Sequence, residues 1–246
     1  MGNLTGKQAV SFTAFYLEPW FAYTIVLGAL FISIFLCIGL TAQKLGVSVS
    51  MLAAKLSVVI PVSIAVFLYN EPVSFLKISG IILSLVAVYL ISKKDEVLQL
   101  HPLYILLPVA VFAGSGMIDT LLKHVERNYI PPADASAIIT TVFLMAAIIG
   151  SFSLFVIKLT GKKVVFTQRE MLWGLMLGVP NYFSMYFLVL TLNQFAEASQ
   201  IFPINNIGIA AASTLLGVFA FHEKISKLNL AGIILAIVAI VIISLA

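Results

Sequence analysis

Eight apolar blocks run along this chain, separated by short breaks that carry nearly all of its charge. They cover residues 20–42, 49–69, 75–92, 103–123, 135–157, 171–193, 199–221 and 228–246. Each approaches the roughly 20 residues that a helix needs to cross the hydrocarbon core of a bilayer. The breaks hold Lys44, Glu71-Pro72, the run Lys93-Lys94-Asp95-Glu96, the stretches 123–134 and 158–170, Glu197, and residues 222–227. Most are only a few residues long, so successive helices are expected to be antiparallel neighbours. The pattern predicts an all-α integral membrane protein of about eight transmembrane helices.

One segment occurs twice. Residues 66–92 read VFLYNEPVSFLKISGIILSLVAVYLIS, and residues 218–244 read VFAFHEKISKLNLAGIILAIVAIVIIS. About half of the aligned positions are identical, among them Glu71 with Glu223, Ser74 with Ser226, and Gly80-Ile-Ile-Leu83 with Gly232-Ile-Ile-Leu235. The first copy covers predicted spans two and three, the second spans seven and eight. A shift of five spans is odd, so the second copy enters the membrane upside down. This is the pattern of an inverted repeat, with a pseudo-twofold axis in the membrane plane, and it is common in transporters. The chain then divides into a segment before the first helix (1–19), a three-helix repeat (20–95) and a five-helix repeat (102–246), an inverted-repeat bundle of three plus five.

Composition narrows the function classes. The chain is 61% hydrophobic and 10% charged, with a mean hydropathy of +1.12, whereas soluble domains have about 45–50% apolar and about 25% charged residues. The net charge of +4 therefore reads as membrane-loop lysines and arginines rather than a nucleic-acid footprint. Cys37 is the single cysteine and lies in an apolar run, so neither a disulfide framework nor a thiolate metal cluster is expected. His101, His124 and His222 fall in separate polar breaks. No HExxH pattern or nucleophile with a base appears in the spans, so no enzyme, cofactor or metal is expected. The expected partners are the lipid bilayer and a small-molecule substrate. The side of the N-terminus carries Lys7, Lys77, Lys123 and Arg127, and the other side carries nine basic residues from Lys44 to Lys227. The positive-inside rule makes that second side cytoplasmic.

Each copy of the repeat has an apolar helix, a glutamate, a small polar break, a glycine nine residues after the glutamate, and another apolar helix. With Glu71 and Gly80, Glu223 and Gly232, and Pro61 in the helix before the first glutamate, the chain resembles the EamA domain of the drug/metabolite transporter superfamily over nearly its whole length. The resemblance implies a carrier, and an exporter in particular, of amino acids, metabolites or amphipathic compounds. It also implies alternating access, a location in the cell membrane (a bacterial inner membrane) and cytoplasmic termini, the last against the charge count. Two-domain members have ten helices, so the first two are missing from this stretch, and 1–19 matches the loop before the third. That shortfall keeps open a truncated, non-transporting membrane interaction protein.

Polar groups inside spans mark candidate sites, because lipid does not satisfy them. Lys55 reads as a cavity-facing cation for a carboxylate, or as a snorkelling side chain. Asn205 and Asn206 follow Pro203, which removes a backbone hydrogen bond and can open the helix. The repeat offset of 152 positions (Glu71 to Glu223) places Ala53, Ala54 and Lys55 opposite Asn205, Asn206 and Ile207. The asparagines suit substrate binding, or interhelical bonding that only glues the bundle. Asn181 and Tyr182, after Pro180, suit a cavity wall or plain packing. Ser115, between Gly114 and Gly116, marks a close backbone approach and is a further substrate-binding candidate. Asp119 is the deepest acid and the candidate for proton coupling. Its i,i+4 spacing to Lys123 equally fits a structural ion pair. Glu71 and Glu223 read as structural, carboxylates set near helix N-termini with Ser74 and Ser226 as caps. Gly80 and Gly232 permit close helix contact.

Overall fold

The computed structural model describes residues 18–92, 104, 106–129, 135–160, 167–195, 197–221 and 226–245. Helices within them are α1 (Phe21–Leu45), α2 (Val47–Leu56), α3 (Val59–Tyr69), α4 (Phe75–Ser92), α5 (Leu106–Tyr129), α6 (Ala135–Leu159), α7 (Gln168–Phe195), α8 (Ala198–Phe221) and α9 (Lys227–Ser244). Among the described residues, five stretches suffice by length and composition to cross a membrane: α1, Val49–Tyr69, α5, Ser136–Leu159 and Gln168–Gln194. Shorter apolar helices lie at Phe75–Leu90 and Lys227–Ile243. The protein is thus an all-α multi-pass membrane bundle. Glu223, most of the segment 1–19 and several loops lie outside the described residues.

Two departures from the apolar-block reading have local causes. The second block is two helices, α2 and α3, parted at Ser57-Val58. Pro61 lacks an N–H, and its ring crowds the carbonyl four residues back, that of Ser57. The chain tightens there instead: Ile60 N–H donates to the Ser57 carbonyl at 2.9 Å, and Ser57 Oγ donates to the Ala54 carbonyl at 2.6 Å. Pro203, by contrast, sits inside a continuous α8. The other departure is α5, which runs past the expected end at residue 123 to Tyr129. Polar side chains support that extra turn: Lys123 Nζ donates to Glu126 Oε2 at 2.8 Å, and Asn128 Nδ2 donates to the His124 carbonyl at 2.8 Å.

Turn chemistry fixes the helix ends. Gly46 takes φ 91° between α1 and α2, a conformation with a steric cost for any residue bearing a Cβ. Asn70 closes α3 in the left-handed region at φ 52°. Ser74 Oγ accepts the Lys77 N–H at the start of α4, and Ser226 with Asn229 forms a capping box at the start of α9.

Packing follows the inverted repeat. The equivalent helices α4 and α9 lie against each other along their length. At one end Gly80 sits under Ile242 and Ile243. At the other, Asn229 Nδ2 donates to the Leu90 carbonyl at 3.0 Å. Helix α1 packs on α5 and α6, with Gly28 against Met145 and Ala146, and Gly114 against Ile34. The main core gathers Leu27, Ile34, Val62, Leu122, Ile139, Val189 and Phe202 from α1, α3 and α5–α8.

Candidate substrate-binding site

The α2–α3 break creates a polar locus at mid-span. With Val59 displaced from regular helical register, the Lys55 carbonyl takes only a long bond from Val58 N–H, at 3.5 Å. Asn206 of α8 supplies a second donor: its Nδ2 donates to that carbonyl at 3.4 Å. In return Lys55 Nζ donates to Asn206 Oδ1 at 3.3 Å. One side-chain amide therefore satisfies both an opened backbone and an ammonium, as irregular backbone at membrane depth demands. The contact so joins a cation on α2 to an amide on α8, and α5, which carries Asp119, packs against α2.

An ammonium has three N–H donors and a carboxylate only acceptors. Lys55 uses one of its donors on Asn206 Oδ1. Ser115, one turn before Asp119 on α5, lies between two glycines that meet Ile34 of α1 and Ile60 of α3. A Cβ on Gly114 or Gly116 would collide with those isoleucines, so the small residues do let α5 approach its neighbours. Asn205 is half-buried beside Asn206.

The expected Asp119–Lys123 pair is not what forms. Lys123 pairs with Glu126, and both are buried. The i,i+3 partner lies on the side of α5 where Lys123 points. Asn181 and Tyr182 are placed elsewhere, on the seam between α6 and α7. Tyr182 Oη lies 3.0 Å from Thr140 Oγ1, and its ring meets Phe143 edge-on at 5.4 Å. Asn181 is half-buried. Glu71 does not serve its own following helix. Its carboxylate accepts the backbone N–H groups of Ala198 and Ser199, at 2.9 and 3.0 Å, and the Ser199 hydroxyl at 2.5 Å. It thus caps α8 in the other repeat. Gly232 is buried in α9.

Sequence reasoning passed over a cavity of about 430 Å³ between α1, α3 and α5. Tyr23, Ser63, Phe67, Tyr69, Thr120 and His124 are among its lining residues. Thr120 follows Asp119 in α5, so the cavity reaches the level of Asp119. Its surface is almost wholly apolar, and aromatic rings gather at its His124 end. Tyr69 Oη lies 3.1 Å from His124 Nδ1, Tyr23 packs on His124 and Tyr129 at 5.5 Å each, and the Arg127 guanidinium lies 4.6 Å from the centre of the Tyr69 ring. The available signal was the placement of tyrosines and a histidine at the ends of three spans, where an apolar body and a polar tip both find partners.

Comparison with known proteins agrees with this architecture. The profile of the EamA-like transporter family matches residues 102–245. An uncharacterized protein of Haemophilus influenzae is 30% identical over 222 residues, which cover 88% of this chain and 72% of that protein. A crystal structure of a protein that is 16% identical superposes with a TM-score of 0.71, covering 93% of this chain and 79% of the other. That likeness shows a shared fold.

Proposed function

The chain belongs to the EamA-like transporter family, and from this premise we propose that it is a carrier for small, carboxylate-bearing organic molecules that works by alternating access between its inverted halves. As a family member it is a multi-pass membrane transporter of the drug/metabolite type. Export is the direction we assign, and a bacterial inner membrane the location, in keeping with the bacterial relative.

The observation that carries this reading is the reciprocal contact of Lys55 with Asn206. It sits at the one helix break within a described apolar block, and it spans the two repeats. A substrate carboxylate would take Lys55 donors and the amides of Asn205 and Asn206. Asp119, with the Lys55 ammonium engaged by the substrate carboxylate, would take up a proton from the aqueous side, which makes it the coupling candidate. The cavity below Tyr69 and His124 offers the path inward, with apolar walls for the substrate body. Ser115 would add a hydroxyl one turn from Asp119, and Asn181 and Tyr182, apart from this cluster, would line a separate wall at the α6–α7 seam. No catalytic role is assigned to any of them.

The test is flux in proteoliposomes, using a panel of labelled amino acids and short organic acids as probes. Saturable flux of at least one probe, lost in Lys55→Gln with the fold retained, supports the reading. A second reading, a membrane interaction protein without transport, draws on the first half of α7. There Met171, Leu172, Trp173 and Leu175 are all exposed, and a Cβ on Gly174 or Gly178 would meet nothing within 4 Å. Absence of flux for every probe favours it.

A further inference from the structure

We infer that Lys77 and Glu197 form a one-sided gate latch, an ion pair that closes the bundle at the end where α1 begins and breaks when the carrier opens there. This rests on the alternating-access reading. Antiparallel spans bring the α3–α4 turn and the α7–α8 turn to the same end of the bundle. Lys77 Nζ, on a residue 1% exposed, donates to Glu197 Oε2 and to the Pro72 carbonyl, each at 2.7 Å. The Glu71 carboxylate accepts from Ala198 and Ser199 immediately beyond. All but the Pro72 bond join one repeat to the other.

Among the described residues, the positions that the repeat makes equivalent to Lys77 and Glu197 hold no second ion pair. The same offset places Asn229 at the position of Lys77 and Leu45 at that of Glu197. Asn229 spends its side chain on Ser226 and on the Leu90 carbonyl, and Leu45 is buried. At these equivalent positions the two inverted halves therefore differ, with a charge pair at one end and an amide with an apolar side chain at the other.

A pair that joins two halves is either a permanent joint or a latch. Helices α4 and α9 already supply the joint, since they are locked at one end by Gly80 under Ile243 and at the other by Asn229 on Leu90. Rocking about that pair separates the α3–α4 turn from the α7–α8 turn. The Glu197 side chain is 30% exposed, so water reaches the pair from the membrane surface and rehydrates both ions as they part. A buried apolar contact offers no such exchange. The pair therefore biases the resting protein toward closure at this end without sealing it, and Lys77 and Glu197 act as gating residues that touch no substrate.

The experiment places spin labels at Val73→Cys and Gln200→Cys in a Cys37→Ala background, in lipid nanodiscs, and reads the distance distribution by pulsed dipolar EPR. Two populations are expected, the shorter dominant. Glu197→Gln raises the ratio of long to short about fivefold or more, the scale of a typical coupling between states. Lys77→Met does the same, and Lys77→Arg, which keeps the charge, stays close to the unaltered chain. If Lys77→Met fails to fold, the half-exposed Glu197 site carries the measurement. A single distance unchanged by Glu197→Gln overturns the latch. Distances that shift in a chain with no flux for any probe leave the latch standing and count against the carrier. Normal flux with one invariant distance does the reverse.

Discussion

A Cβ built on Gly80 would stand 2.6 Å from Cγ1 of Ile243, on the helix that the repeat pairs with α4. Ile243 cannot swing away freely, for it is fully buried and its own backbone N lies 3.3 Å from the same point. Gly80→Ala is therefore expected to cost about 1–3 kcal/mol, as overpacking of a filled core does. Thermal unfolding in detergent checks it. Gly39→Ala is the control: a Cβ there meets nothing within 4 Å, and the gain in helix propensity makes it neutral or stabilising by about 0.5–1 kcal/mol.

Glu71→Gln should lower folded yield and unfolding temperature while leaving the preference among transported probes unchanged. The carboxylate accepts two backbone N–H groups and a hydroxyl at the start of α8. An amide presents one oxygen and turns an NH2 toward a donor. Hydrogen bonds to charged groups contribute about 1.5–3 kcal/mol each, so the loss should exceed that of Ser199→Ala, which deletes the hydroxyl alone. Equal stability with altered preference would reassign Glu71 from cap to binding site.

Lys123→Met should destabilise the protein by about 3–5 kcal/mol, because it strands a buried carboxylate at Glu126. Adding Glu126→Gln should recover the part of the loss that comes from the stranded Glu126 carboxylate. Chemical denaturation of the two variants decides it. A double variant no more stable than the single one would show that the pair is not the reason Lys123 is held there.

The sequence made some of this legible and hid the rest for identifiable reasons. The bounds expected for α4, 75–92, match the helix, because Ser74 and Asn70 punctuate the chain locally. The break at Ser57-Val58 was hidden inside an unbroken apolar run, with its cause, Pro61, one turn downstream. Pro203 drew the expectation of an opened helix, yet α8 is continuous there. The partner of Glu71 lies 127 and 128 positions away, beyond any local capping rule, although the rule's physics was right. Asp119 and Lys123 show the opposite failure: helical spacing permits a pair without choosing it, and Glu126 competed one residue closer. His124 was read as part of a loop, so its meeting with Tyr69 and Tyr23 at the mouth of the cavity went unseen. The register of the repeat did bring Lys55 and Asn206 to one level, and the bundle then joined them directly.

In the proposed carrier, this joined pair is where substrate is held. Flux of labelled amino acids and short organic acids in proteoliposomes, compared across the unaltered chain, Lys55→Gln and Asn206→Ala, tests it most directly. Saturable flux is expected for at least one probe in the unaltered chain. It should fall about tenfold or more in Lys55→Gln, a change equivalent to about 1.4 kcal/mol, and by a smaller factor in Asn206→Ala, with unfolding temperatures close to the parent. Undiminished flux in a folded Lys55→Gln protein would contradict the account.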